Sequence, residues 1–234
     1  MTIANNLAAI RERIANAARR AGRDPADVAL MAVTKTQPAG RIVEAYAAGQ
    51  RLFGENRVQE FAEKFGALAE LHDAEFHMIG HLQSNKVTKA AEIFYGLDSL
   101  DSAKLAERLN AAAERAGKTL GVLIEINSGG EAVKSGVAPD SAELEQILAA
   151  AADWPHLRIR GLMTVPPFTD DPEGARPYFR QLRELRDRLA GRKLPVVSLG
   201  VLSMGMSHDF EVAIEEGSTC VRIGTAIFGE RAKG

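Results

Sequence analysis

Only one cysteine, Cys220, stands among the 234 residues, so the chain can form no internal disulfide and no thiolate metal cluster. The expectation for that thiol is a small buried strand residue. An excess of either charge is missing too. Lys and Arg number 29 against 31 Asp and Glu, a formal net charge of −2, which leaves nothing global to attract nucleic acid or an anionic membrane. Long apolar runs are absent: no stretch approaches the ~20 residues a membrane span needs. The N-terminus has no segment of signal length. It carries Leu7, Ile10, Ile14, Ala17 and Ala18 at helical spacing instead, the pattern of an amphipathic helix. A cytoplasmic location is expected. No Pro/Gly/Ser-rich linker or low-complexity segment divides the chain. The composition is that of an ordinary globular protein, 46% hydrophobic and 26% charged, at a length that α/β barrels commonly fill as one domain.

Eight strand-like runs follow one another: Val28–Val33, Arg51–Gly54, Glu75–Gly80, Ile93–Leu97, Gly121–Asn127, Ile159–Val165, Val196–Leu202 and Cys220–Phe228. Helical patterns separate them. Asn56 with Gln59 reads as the start of a helix carrying Val58, Phe61 and Phe65. Asp101 opens one with Leu105 and Leu109, and Asp140 with Glu143 opens one with Leu144 and Ile147. Asp171-Pro172 is an N-cap before a proline at the first helical position. Ser207 is placed to cap a helix with Phe210, Ala213 and Ile214. Strict alternation argues a parallel sheet, and runs apolar throughout suit strands buried on both faces. Eight repeats with no leftover block predict α/β architecture: a single (β/α)8 TIM barrel spanning 1–234, with an extra N-terminal helix. An open doubly wound sheet would need a Gly-rich turn after the first strand, and Thr34-Lys35-Thr36-Gln37-Pro38 is not one.

Lys35 stands at the end of the first buried run. Lysine is rarely buried, because an ammonium is expensive to take out of water. Desolvation favours the neutral amine, which can attack a carbonyl and form a Schiff base. In a barrel, function gathers where strands end. Lys35, Glu55-Asn56, Gly80-His81, Met163-Thr164, the Ser203-Met-Gly-Met-Ser207 segment and Arg222-Ile-Gly-Thr225 all fall there, so the polar residues are expected on one rim. The loops after strands seven and eight recurrently hold phosphate. Ser203 and Ser207 offer hydroxyls, Gly205 lets backbone approach an anion, and Gly224-Thr225 adds a second small, donor-rich turn. A phosphate-bearing aldehyde is the economical ligand: Lys35 takes the aldehyde and the loops the phosphate.

Other candidates carry less. His77 and His81 flank Met78-Ile79-Gly80 in an apparent strand, where their spacing leaves them far apart for one metal ion, so no metal is expected. The arginine-rich segment 180–192 is interleaved with Glu184 and Asp187 and reads as a solvated face. Tyr46 and Tyr178 read as packing residues, and Trp154 needs no special role.

Ala32-Val-Thr-Lys-Thr36, Phe53-Gly-Glu-Asn56, Ile79-Gly-His-Leu-Gln-Ser-Asn-Lys86, Lys134-Ser-Gly136, Gly161-Leu-Met-Thr164, Leu202-Ser-Met-Gly-Met-Ser207 and Val221-Arg-Ile-Gly-Thr-Ala-Ile-Phe-Gly229 resemble the pyridoxal phosphate homeostasis protein family over nearly the whole chain. Members look like the barrel domain of alanine racemase without its second domain. The resemblance implies pyridoxal 5′-phosphate (PLP) as the cofactor, held as an internal aldimine on Lys35. It implies that Ser203, Ser207, Gly224 and Thr225 hold the phosphate, that Arg222 faces the pyridine nitrogen and that Asn56 lies near the ring. The chain departs from the family at Thr34, where serine is common, at Gln37, where lysine is common, and at Phe76, where tryptophan is frequent. An arginine beside the pyridine nitrogen disfavours pyridinium and weakens the electron sink. The racemase relatives draw their second acid/base from the missing domain. The resemblance therefore implies a PLP binder in intracellular PLP homeostasis with little or no turnover, handing PLP to apo-enzymes. The alternative is an enzyme: a PLP-dependent racemase or another of the same fold type, or a cofactor-free Schiff-base aldolase.

Overall fold

The computed structural model describes residues 2–130, 135–192 and 194–229. Helix α1 (Ile3–Arg20) comes first. The Thr2 side chain accepts from Asn5 N at 3.2 Å, and Ile3, Leu7, Ile10, Ile14, Ala17 and Ala18 form its buried stripe. Strands and helices then alternate: β1 (Ala29–Val33), α2 (Ala39–Ala47), β2 (Leu52–Glu55), α3 (Val58–Phe65), β3 (Glu75–Met78), α4 (Val87–Ile93), β4 (Gly96–Leu100), α5 (Ala103–Arg115), β5 (Leu120–Glu125), α6 (Ala142–Ala150), β6 (Leu157–Met163), α7 (Arg176–Ala190), β7 (Val197–Met206), α8 (Phe210–Glu215), β8 (Cys220–Ile223) and α9 (Thr225–Phe228). The eight strands close into one parallel barrel in chain order, with β1 paired to both β2 and β8. The (β/α)8 expectation with an extra N-terminal helix is met. The outward strand residues and the inward helix stripes make one continuous apolar layer.

The strand bounds shift from the sequence reading by a residue or two in most strands, and by more in β4, β7 and β8. β4 runs from Gly96 to Leu100, not from Ile93 to Leu97. Ile93 closes α4, and Asp98 and Ser99, polar yet 2% and 0% exposed, belong to the strand. Their polarity hid the strand, and partners satisfy it: Asp98 meets His77, and Ser99 Oγ donates to Gly80 O. β7 continues through Ser203 to Met206 instead of stopping at Leu202. β8 ends at Ile223, and the apolar run after it turns into α9, whose Ile227 and Phe228 are buried.

Helix starts moved as well. Ser102 and Ser141, not Asp101 and Asp140, accept from the helix amides of α5 and α6. Arg57 rather than Asn56 precedes α3. Asp171 caps as expected, but a 3-10 turn that leads into α7. At Gly161 a Cβ would lie 1.9 Å from Val201 O, so β6 and β7 can approach there only without a side chain.

Candidate functional site

β1 runs apolar to Val33, and Thr34 after it is fully buried, its amide donating to Gly54 O at 2.9 Å and its Oγ1 to Glu55 Oε1 at 2.7 Å. The next residue is Lys35, half-buried in a turn closed by Gln37 N on Thr34 O. Thr36, at φ 64°, takes the left-handed conformation that a β-branched residue rarely adopts. Its amide donates to Glu60 Oε1. The β1–β8 register, Met31 opposite Arg222 and Ala32 opposite Ile223, sets the end of β8 beside this turn. A Cβ at Gly224 would lie 3.4 Å from Val33 O. The turn that bears Lys35 and the Gly224-Thr225 turn thus follow neighbouring strand ends on one rim. Gly224 is half-buried, and Thr225 is exposed as the first residue of α9.

Arg222 is 4% exposed. Its Nη1 donates to Ser203 Oγ at 2.7 Å and its Nη2 to Thr164 O at 2.8 Å, which fixes the plane of the guanidinium. Burial lowers its pKa, against the opposing charges of Cys220, Asp98, Glu125 and Asp209; an arginine stays cationic all the same. Ser203 therefore corrects the sequence reading. It lies not on a loop but fully buried in β7, and its hydroxyl oxygen serves Arg222. Gly205 is corrected too. Its φ is 93°, and a Cβ would lie 2.5 Å from that of Ala213, so glycine there lets α8 pack rather than baring backbone to an anion. Ser207 caps no helix: it is half-buried in the turn 207–209, and Asp209 precedes α8. Asp209 is buried, which raises its carboxyl pKa, and its Oδ1 accepts from Met206 N at 2.6 Å to tie that turn down. The phosphate donors left on this side are Ser207, Thr225 and backbone amides of the two turns.

Asn56 is half-buried past the end of β2. It lines a cavity of about 470 Å³ between the β2–α3 and β3–α4 connections, with Arg57, His81 and Lys86. His81 is exposed and its Nδ1 meets Asp101 Oδ2 at 3.0 Å. The segment Lys134-Ser-Gly136 is only partly visible: Lys134 lies outside the described residues.

Two features escaped the sequence reading. Glu125 ends β5, the strand opposite β1 in the closed barrel. Burial, then the charge of Asp101, raises its pKa to about 7, against Arg222 and His81, which lower it. A carboxylate inside the run 121–127 was the same anomaly that marked Lys35. The second is a charged clamp under the Lys35 turn. Lys64, 11% exposed, puts its Nζ 2.8 Å from Glu55 Oε1 and 3.1 Å from Glu60 Oε1. Glu55 is fully buried, which raises its pKa despite Lys64. Only the Glu60–Lys64 spacing of one helical turn hinted at it.

Barrel and rim define the class: a parallel (β/α)8 barrel of the racemase type, with an amine and a guanidinium on its C-terminal side. The family model "Alanine racemase, N-terminal domain" matches residues 5–232. Relatives named pyridoxal phosphate homeostasis protein are 47% identical in Aquifex aeolicus, covering 99% of both chains, and 46% identical in Pseudomonas aeruginosa, covering 100% of this chain and 97% of that one. The chain belongs to the pyridoxal phosphate homeostasis protein family. PipY of Synechococcus elongatus, solved with PLP bound, superposes with a TM-score of 0.84 at 38% identity, covering 97% of this chain and 100% of that one. Alanine racemase of Clostridium difficile, at 15% identity, shares the fold (TM-score 0.73), and the match covers 99% of this chain and 57% of that one.

Proposed function

We propose that this chain, acting as one barrel unit over 1–234, binds PLP through an imine with Lys35 and serves PLP homeostasis in the cytoplasm, with little or no turnover. The observation that carries the reading is the β1–β8 register, which brings the turn that bears Lys35 to the end of β8, where Arg222 is buried and the Gly224-Thr225 turn begins. The donor chemistry fits PLP: a primary amine for an aldehyde, hydroxyls and amides for a phosphate, and a cation held by Ser203 and Thr164 that cannot accept a proton. When bound, PLP supplies an electrophilic aldehyde and an electron-withdrawing ring. The neutral Lys35 amine is the group that would capture that aldehyde, with release of one water. Asn56, half-buried past the end of β2, is the residue we assign to the flank of the ring. Among the described residues no helix is long and apolar enough to cross a membrane, and no cluster of His, Cys, Asp and Glu forms a metal site. Acceptors of the PLP would be apo-enzymes that need it.

Arg222 favours a binder over an enzyme, because it opposes protonation of the pyridine nitrogen. Glu125 favours the second reading, a slow PLP-dependent racemase-type enzyme, since a carboxyl with a pKa of about 7 is suited to exchange a proton at neutral pH. The visible spectrum of the purified protein, before and after borohydride reduction and followed by peptide mapping, tests the first reading. An adduct on Lys35 is expected, and Lys35→Ala should abolish both band and adduct. An adduct mainly elsewhere defeats the assignment. Deuterium exchange at Cα of L-alanine tests the second: turnover in the ordinary range of about 1–10³ s⁻¹ would make the protein an enzyme.

A further inference from the structure

We propose that Lys64 is a positioning residue for Lys35. Its ammonium grips the backbone on both sides of Lys35 and holds the amine where it captures the aldehyde. The inference rests on the PLP reading above. Lys64 Nζ lies 3.3 Å from Thr34 O and 3.2 Å from Gln37 O, the two carbonyls that bracket Lys35 and Thr36. The same nitrogen meets Glu55 Oε1 at 2.8 Å and Glu60 Oε1 at 3.1 Å. Glu60 Oε1 in turn accepts from Thr36 N, and Glu55 Oε1 from Thr34 Oγ1. One ammonium thus ties together the end of β1, the end of β2 and helix α3.

A mostly buried lysine is expensive unless charge and hydrogen bonds compensate it. Here two carboxylates supply the charge, and all four of its acceptors lie on or directly beneath the turn. The arrangement also accounts for Thr36: a left-handed β-branched residue persists only where its surroundings over-determine it, and Glu60, itself held by Lys64, fixes its amide. Without the clamp, each capture of the aldehyde would have to order the turn first. Ordering a single residue's backbone is worth about tenfold in affinity, or about 1.4 kcal/mol.

The test compares PLP with pyridoxine 5′-phosphate, which keeps ring and phosphate but has no aldehyde. Full-length protein is measured as wild type, Lys64→Met, Lys64→Arg and the charge-matched Glu55→Gln/Lys64→Met, which removes the buried carboxylate along with its cation and guards against misfolding. PLP affinity is expected to fall about tenfold in both Met variants, with slower borohydride trapping on Lys35, while pyridoxine 5′-phosphate binds within twofold of wild type. Lys64→Arg, which retains the cation, should recover part of the loss. Equal losses for the two ligands would reduce Lys64 to a general structural part and overturn the proposal, as would no loss for either. The PLP reading fails separately, if Lys35→Ala keeps the wild-type preference for PLP over pyridoxine 5′-phosphate.

Discussion

Both mouths of the barrel are polar, and they treat their polar groups in opposite ways. At the C-terminal mouth Lys35, Asn56, Ser207 and Gly224 are half-buried and Thr225 is exposed, all just past strand ends. At the N-terminal mouth the polar groups sit on the strands themselves. Glu75, His77, Asp98, Arg160 and Cys220 line a cavity of about 110 Å³ together with apolar residues of β1 and β5. There His77 Nδ1 meets Asp98 Oδ1 at 2.8 Å, and His77 Nε2 is buried with no hydrogen-bond partner, 4.0 Å from Glu75 Oε2. The expectation that polar residues collect on one rim is thus corrected. What separates the ends is the backbone that carries the groups: those of the C-terminal mouth stand past the strand ends, whereas the N-terminal ones stand on the strands, where His77, Asp98 and Cys220 are buried.

Removing the ligand's phosphate should show the largest effect on the C-terminal side. Hydrogen bonds to a charged group are worth roughly 1.5–3 kcal/mol each, so losing two predicts that pyridoxal binds at least ~100-fold more weakly than PLP. Equal affinities by fluorescence titration would remove the two turns from the site. Glu125→Gln comes next, in the protein without ligand. Its folded pKa of about 7 lies above its ordinary 4.5, so the fold favours the protonated acid. Below pH 4.5 both states hold the proton and nothing is lost. Between 4.5 and 7 the unfolded chain releases it first and stability falls by about 1.36 kcal/mol per unit, reaching about 3 kcal/mol. The variant should be the more stable protein at pH 8 and no different at pH 4.5 in urea melts. A parallel pH profile in both proteins would break the argument. The smallest effect belongs to the other mouth. Asp98→Asn should lower stability by about 1–3 kcal/mol, through its bond to His77, and leave PLP affinity unchanged. A tenfold loss of affinity would mean that the two mouths are coupled.

Much of the fold was readable along the chain because most strands carry an apolar run between turn residues. β4 was misplaced since Asp98 and Ser99 look like loop until their partners on β3 and at Gly80 are known. The site was readable in part. Lys35 stands out wherever a buried run ends in a charge, and Glu125 offered the same signal. Lys64, Glu55 and Thr34 did not, because they meet only through the pairing of β1 with β2 and the packing of α3 over both. Ser203 was placed on a loop for a similar reason: its partner, Arg222, comes from the next strand.

The closing ladder has a consequence for how the molecule is made. Ala29 pairs with Cys220 and Leu30 with Val221. Helix α1 packs on α8 and α9, with Asn6 Nδ2 on Ile227 O at 2.8 Å and Arg13 on Glu211. On the ribosome, β1 and the apolar stripe of α1 emerge long before these partners exist. Domains generally fold as units, the N-terminal ones first during synthesis, and exposed apolar surface and unpaired strand edges invite aggregation meanwhile. This barrel cannot follow that order to completion, since its seam joins the first strand to the last. The nascent chain must carry an open edge and an uncovered helix face until β8 has emerged, which makes the appearance of β8, rather than of β1, the step that secures the barrel.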